Sequence, residues 1–261
     1  MSKLLNKKKN IILTGASSGI GSALAMRLAN ADSRLILLAR NEQRLLQIAK
    51  ACEQKQAEVI THLIDISETE KLQALVEKID AKYPTDLIIC NAGIANTIGK
   101  KGKAEDWQHI CKVIDTNVYG VLASLNPLIS QMQQRKSGQI VLVSSLAAYY
   151  GMALTPAYCA SKAAVKAYGE SLLAWLKPDG IKVNIVYPGF VKSPMSDSFP
   201  ASKPFLISAE KAADIIVRGI QKNKPSISFP FPLNLGMWFL GAFPTRLSNW
   251  IMGMMYGSGS R

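Results

Sequence analysis

Past Asp214 the chain carries no acidic residue; its remaining charges are Arg218, Lys222, Lys224, Arg246 and Arg261. Negative charge is scarce throughout, with 31 Lys and Arg against 18 Asp and Glu, a formal net charge of +13. Such an excess points to an anionic partner: a phosphorylated cofactor, a membrane surface or nucleic acid. No arginine-rich tract interleaved with aromatics is present, so nucleic acid ranks last and is not expected. Long apolar runs are also missing. No stretch reaches the roughly 18 residues of a spanning helix. Only Ile11-Ile12-Leu13 separates the basic start from Thr14-Gly15, too little for a signal-peptide core. The four cysteines, Cys52, Cys90, Cys111 and Cys159, have neither Cys-x-x-Cys spacing nor a pairing pattern. They read as reduced thiols of a cytoplasmic protein. The two histidines, His62 and His109, lack metal spacing, and no metal is expected. Linkers, repeats and low-complexity blocks are absent as well, and a hydrophobic share of 48% can fill one large core.

What is present is alternation. Apolar runs near 10–14, 34–39, 58–63, 86–90, 139–144, 181–187 and 226–229 read as strands, and amphipathic runs between them read as helices. Alternation of this kind predicts an α/β fold, a parallel sheet covered on both faces. Ligands of such sheets sit at the carboxyl ends of the strands. The first run ends in Thr-Gly-Ala-Ser-Ser-Gly-Ile-Gly, residues 14–21, followed by a helix. Strand, glycine loop and helix is the context a phosphate-binding turn requires, although a plain βα turn uses glycine too.

The second run ends in Ala39-Arg40, where NAD-binding sheets place an acid for the ribose 2′-hydroxyl. Without that carboxylate a 2′-phosphate is not repelled, and Arg40 can pair with it, which favours NADP(H) over NAD(H). The alternative is that Arg40 merely opens the next helix. The third strand ends in Asp65-Ile66, and Ser67 with Glu70 reads as a capping box that leaves Asp65 free to face a ligand. A helix from about 105 carries Trp107, Ile110, Val113 and Ile114 toward Asn117, and a basic loop spans 100–103. Ser145 follows the fifth strand. Tyr158 and Lys162 stand four apart on the next helix, one turn apart on one face. Phenol, ammonium and hydroxyl can therefore converge as an active site. A cation one turn away favours the phenolate of a tyrosine that otherwise titrates near pH ~10.

On these residues the chain resembles a classical short-chain dehydrogenase/reductase. Residues 14–21 match that family's Thr-Gly-x-x-x-Gly-x-Gly loop. Residues 90–93 match Asn-Asn-Ala-Gly with Cys90 replacing the first asparagine. Asn117, Ser145, Tyr158 and Lys162 match its catalytic set, and Pro188-Gly189 its motif after strand six. The likeness covers about residues 9–222. It implies a Rossmann-type, doubly wound sheet of about seven strands in the order 3-2-1-4-5-6-7, and reversible carbonyl–alcohol hydride transfer. By the same likeness Tyr158 would protonate the carbonyl oxygen, Lys162 would hold the nicotinamide ribose and lower the tyrosine pKa, and Ser145 would hold the substrate oxygen. Asn117 would hold a relaying water. Gly15, Ser17, Ser18, Gly19, Ile20 and Gly21 would cradle the cofactor. Asp65 and Ile66 would flank the adenine, Asn91, Ala92 and Gly93 the adjoining ribose. Pro188, Gly189, Val191 and Ser193 would border the nicotinamide, with Ser193 in place of a threonine. The family also implies a homodimer or homotetramer, through the helices after Asn117 and after Thr155.

The end of the chain stands apart. Residues 1–225 read as the dinucleotide-binding and catalytic domain, and 226–261 as an apolar, basic extension of it. Residues 190–207, polar and dotted with proline, have the look of a lid. The extension has two readings: a monotopic contact with a membrane surface, or a cover over the substrate cleft or a subunit interface. Met195, Met237, Met252, Met254 and Met255 suit an adaptable apolar pocket or plain core. The expectation is an NADP(H)-dependent oxidoreductase that interconverts a carbonyl and a secondary alcohol on an apolar, lipid-like substrate. Its rivals are a catalytically silent dinucleotide sensor or scaffold, and a membrane-surface protein acting through its tail.

Overall fold

A computed structural model describes residues 8–98 and 103–256. The basic start, most of the loop at 100–103, the last five residues and the Met255 side chain lie outside the described residues. Seven parallel strands form one sheet in the order β3-β2-β1-β4-β5-β6-β7, as expected. They are β1 (Lys9–Thr14), β2 (Ser33–Ala39), β3 (Glu58–Leu63), β4 (Leu87–Cys90), β5 (Gln139–Val143), β6 (Lys182–Pro188) and β7 (Ser226–Phe229). Side chains alternate across a strand. Along β1, Ile11 and Leu13 therefore enter the core on one face while Ile12 enters the core on the other. The central strands are apolar on both faces because helices cover both. On one face lie α1 (Gly19–Leu28), α2 (Glu42–Glu53) and α8 (Ala209–Gln221), supplying Leu24, Leu45 and Ile216. On the other lie α3 (Thr69–Lys82), α5 (Gly120–Arg135) and α6 (Pro156–Trp175), supplying Leu72, Leu128 and Val165.

The chain winds outward from β1 to β3, then returns to start β4 beside β1. The loops after β1 and β4 diverge there and open a crevice at the strand ends. Register keeps these ends level: Leu13 lies beside Leu37 and Ile89, and Val143 beside Val186.

Three local expectations need correction. Ser67 does not cap α3. Glu68 holds that position, and the Ser67 N–H and hydroxyl both bond to Asp65 Oδ1, at 3.0 and 2.8 Å. Aspartate bonds its own backbone two residues on, and here that local turn wins over the capping box. The helix expected from 105 is α4 (Trp107–Ile114), started by Asp106, whose carboxylate accepts from His109 N. Trp107, grouped from the sequence with Ile110, Val113 and Ile114 on this helix, is 73% exposed. Between α4 and α5 there is no loop but one widened turn, Asp115–Tyr119, which carries Asn117.

The lid, 190–207, contains one short helix, α7 (Pro194–Asp197), and its ends meet in a parallel bridge between Val191 and Ile207. The tail forms α9 (Leu233–Ala242) and α10 (Thr245–Tyr256). Leu240, Met252 and Met237 pack with Leu146, Ile185 and Tyr187 in a third apolar cluster.

Helix α6 lies close to the sheet because Gly169 faces it. A Cβ there would come within 2.8 Å of Leu142 and 2.9 Å of Ile185. Gly169→Val is expected to lower the unfolding free energy by about 1–3 kcal/mol through overpacking. Urea titration checks this; an unchanged midpoint would show that α6 has room to spare.

Candidate active site

The crevice is a cleft of about 600 Å³. Every residue singled out for the site lines it except Gly21 and Asn117, which stand just behind its wall. Its floor is the loop after β1. Gly15 and Gly19 have φ of +68° and +54°, a region that disfavours side chains. A Cβ on Gly15 would meet Ala92 Cα at 2.7 Å, and one on Gly21 would meet the Gly15 carbonyl oxygen at 2.1 Å. Thr14 ties the two loops together: its hydroxyl oxygen accepts from the N–H groups of Asn91 and Ala92, both at 3.0 Å. The Asn91 amide returns bonds to the carbonyls of Thr14 and Gly15, at 3.1 and 3.3 Å. Ser18 precedes α1 without a side-chain cap bond. The free N–H groups of that helix start therefore face the cleft, where an anion is favoured.

At one end of the cleft Arg40 and Asp65 are paired, Nη1 to Oδ2 at 3.0 Å. Asp65 is thus not free, as the sequence had suggested. Burial pushes its carboxyl upward, but the bonds from Ser67 and Arg40 together hold it below its ordinary value. Arg44, in the first turn of α2 and four residues after Arg40, also lines this end. The sequence reading missed it, although the i, i+4 spacing of the two arginines was visible.

At the other end stand Ser145, Tyr158 and Lys162. The Lys162 ammonium, 4% exposed, donates to the Val143 carbonyl at 2.9 Å. Its nitrogen lies 5.7 Å from the centre of the Tyr158 ring. Ser144, beside it, donates to the Lys162 carbonyl at 2.7 Å, so the end of β5 grips α6 twice. Asn117 is fully buried. Its amide donates to the Ile94 carbonyl at 2.8 Å and to Ser161 Oγ at 2.9 Å, and its oxygen accepts from the Ile94 N–H at 2.8 Å. Gly93 separates Asn117 from Lys162: a Cβ there would stand 3.2 Å from the Asn117 oxygen and 3.3 Å from the Lys162 nitrogen.

Burial dominates the titration of this end. It pushes the Tyr158 phenol up to about 12, against the opposing hydrogen bond of Ser145. It pushes the Lys162 ammonium down to about 8. The lowered phenol expected from a neighbouring lysine is therefore not what the structure gives, because loss of water outweighs a cation directed at the Val143 carbonyl. A phenol so raised keeps its proton at neutral pH.

The wall beside Tyr158 is apolar. Leu146, Ala147 and Met152 come from the segment before α6, Phe199 and Met195 from the lid, and Leu233 and Met237 from α9. Sequence reasoning anticipated a cover from the tail without naming Leu233, whose only signal was membership of an apolar run. Ser193 sits over Gly19, with its Cβ 3.1 Å from where a glycine Cβ would be, and its hydroxyl donates to the Val191 carbonyl at 3.2 Å.

Comparison with known proteins follows the same lines. The sequence model of the family described as short chain dehydrogenase matches residues 9–204. An uncharacterized oxidoreductase of Myxococcus xanthus is 33% identical over 257 residues, covering 97% of this chain and 96% of that one. A fatty acyl-CoA reductase of Acinetobacter baylyi is 30% identical over 224 residues, 85% of this chain and 76% of the other. Among solved structures, a short-chain dehydrogenase from Sphingobium yanoikuyae in complex with NADPH superposes with a TM-score of 0.80 at 23% identity, covering 95% of each chain. A short chain dehydrogenase/reductase from Burkholderia phymatum in complex with NAD gives 0.80 at 22% identity, covering 90% and 92%. These two similarities speak for the fold.

The Thr14 hydroxyl holds the cleft floor closed. Thr14→Val leaves two N–H groups without an acceptor and is expected to cost about 2–4 kcal/mol, most of it restored by Thr14→Ser. Denaturant unfolding of the two variants checks this; equal stability would mean that the loops close without the hydroxyl.

Proposed function

The chain belongs to the short-chain dehydrogenase family of oxidoreductases, and from that premise we propose that it is an NADP(H)-dependent reductase of apolar, lipid-like carbonyl compounds. The observation that carries this reading is the meeting of Ser145, Tyr158 and Lys162 in one cleft, between a glycine cradle and an apolar wall.

The residues present fit a phosphorylated dinucleotide. The cradle has no room for a Cβ at Gly15 or Gly21, and the start of α1 offers free N–H groups to a pyrophosphate. Arg40 and Arg44 line one end of the cleft, β2 ends without an acid, and either guanidinium could pair with a 2′-phosphate. Arg40 is about half exposed and Asp65 about a quarter exposed, and a pair so open to water is worth about 1 kcal/mol. A phosphate can therefore replace the carboxylate as the partner of Arg40 at little cost.

When bound, the nicotinamide supplies the hydride. The chain must then orient the carbonyl and deliver one proton. Ser145 would hold the carbonyl oxygen, and Tyr158 would give that oxygen its phenolic proton. Lys162 keeps its nitrogen against Val143, and its remaining N–H groups would hold the cofactor ribose. The two amide N–H groups of Asn117 are already given to Ile94 and Ser161. In this reading Asn117 fixes Gly93 and Ile94 against α6, and any water it holds is held by its backbone. The apolar wall and the similarity to a fatty acyl-CoA reductase support a substrate with an acyl or comparable chain.

Tyr158→Phe is expected to lower kcat/KM for carbonyl reduction about 10²–10⁴-fold with NADPH affinity unchanged. In the native enzyme kcat/KM should be level below about pH 8 and fall above it, as Lys162 loses its charge; the phenol stays protonated through this range. A panel of ketones and acyl-chain carbonyls, followed by NADPH oxidation, provides both measurements. If NADPH binds well and no carbonyl is reduced, the chain is a silent dinucleotide sensor instead.

Cofactor choice has its own test. Arg40→Asp should raise the KM for NADPH at least about tenfold and shift preference toward NADH, because it removes a charged partner and adds a repelling one. An unchanged ratio of the two cofactors would remove Arg40 from 2′-phosphate recognition.

A further inference from the structure

Helix α9, Leu-Asn-Leu-Gly-Met-Trp-Phe-Leu-Gly-Ala, has no charged residue on any side. A helix that is apolar all round belongs in a core or in lipid. Only its inner side is in the core: Met237 and Leu240 are buried, and Leu233 and Met237 line the cleft. Its outer side bears Leu235, Trp238 and Phe239, all exposed, with Phe243 just beyond its end. Trp238 meets Phe239 edge-on at 5.0 Å, and Phe239 stacks on Phe243 at 5.9 Å.

Helix α10 repeats the pattern. Ser248 faces inward, its hydroxyl donating to the Leu240 carbonyl at 2.8 Å, and Met252 is buried beside it. Tyr150 anchors the helix to the segment after β5 through Asn249, at 2.6 Å. The opposite stripe, where a surface helix ordinarily carries polar residues, is Leu247, Trp250 and Met254, spaced i, i+3 and i+7. Trp250 is 62% exposed and Trp238 52%. Arg246 is the one charged residue on α9 and α10. No Asp or Glu follows Asp214 in the sequence, and among the described residues no ion pair involves Arg246. A second copy docking by the same face would bring no acid to Arg246 from either helix, whereas a lipid phosphate would pair with it. Among the described residues no helix is long and apolar enough to cross a membrane. A contact made by this face therefore lies in the interfacial plane, where tryptophan is favoured.

We infer that the outer stripes of α9 and α10 rest on an anionic lipid surface, and that the cleft receives its apolar substrate from that surface along α9. The second half rests on the substrate class proposed above; the first does not. One helix serves both tasks, since its outer side meets lipid while its inner side, through Leu233 and Met237, walls the space beside Tyr158. A chain-bearing carbonyl compound could then pass from bilayer to cleft without crossing water.

The test uses the full-length chain and Trp238→Gln/Trp250→Gln, neither residue lining the cleft. Sedimentation with phosphatidylcholine vesicles containing phosphatidylglycerol is compared with pure phosphatidylcholine vesicles, and tryptophan quenching by brominated lipid is read alongside. The native chain should bind the anionic vesicles and be quenched, with binding at least about tenfold weaker in the variant. Thermal unfolding, NADPH affinity and turnover of a water-soluble ketone should be the same in both. Turnover of a long-chain carbonyl presented in vesicles should fall about tenfold in the variant. Equal vesicle binding by both proteins overturns the inference, as does a native chain that stays in the supernatant. If that native chain elutes as an oligomer that the variant dissociates, the face belongs to a second copy. Absence of all turnover with vesicle binding intact would count against the enzyme reading and leave the lipid contact standing.

Discussion

A lysine ammonium buried at the end of β5 is the group around which the rest is arranged. Taking an ammonium out of water is costly unless it is hydrogen-bonded, and Lys162 has the Val143 carbonyl at 2.9 Å. That bond requires the last turn of β5 and the first turns of α6 to hold one distance. The Ser144 hydroxyl on the Lys162 carbonyl, and the glycine at 169 that lets α6 lie against Leu142 and Ile185, keep it. The third wall is the β4 loop, where Gly93 leaves space for both Lys162 and Asn117, and Asn117 grips Ile94 from both sides. Removal of water then separates the two titrating groups, phenol up and ammonium down. A protonated acid and a lysine near neutrality thus arise together from one buried position.

The dinucleotide half depends on a different economy: absence of side chains. Backbone meets backbone across Thr14, Gly15, Gly21 and Ala92, and the single hydroxyl of Thr14 closes the seam. Nothing there fills the start of α1, so its N–H groups remain available to an anion. The arginines at the far end are held by ordinary surface forces. Arg40, half exposed, leans on Asp65, which is about a quarter exposed.

The substrate half is built from segments that the parallel sheet does not specify. The lid closes on itself through the Val191–Ile207 bridge and the Phe190–Phe199 ring contact, at 5.4 Å. The tail folds back as α9 and α10 over Leu146 and Tyr187. Of the methionines, Met152, Met195 and Met237 reach the cleft, Met252 is core and Met254 is exposed. Helix α9 turns Leu233 and Met237 to the cleft and leaves Leu235, Trp238 and Phe239 exposed on its other side.

The sequence by itself determined the frame. Uniformly apolar strands set at helix-length intervals permit little besides a parallel sheet, and its order followed from the family likeness. Glycines after β1, the Ala39-Arg40 pair after β2 and the Tyr158–Lys162 spacing were legible because each is local, decided within one strand end or one helical turn. What tertiary structure decided were the contests between partners far apart in the chain. Asp65, which pattern alone left free, is taken by Ser67 and Arg40. Trp107, apolar by type, is left in solvent because none of the described residues covers that side of α4. The Tyr158 phenol rises instead of falling because burial, which no spacing encodes, exceeds the effect of a neighbouring cation. The outer face of α9 is exposed for the same kind of reason: apolarity is written in the residues, but which side finds a partner is settled only when the sheet, the lid and the tail meet.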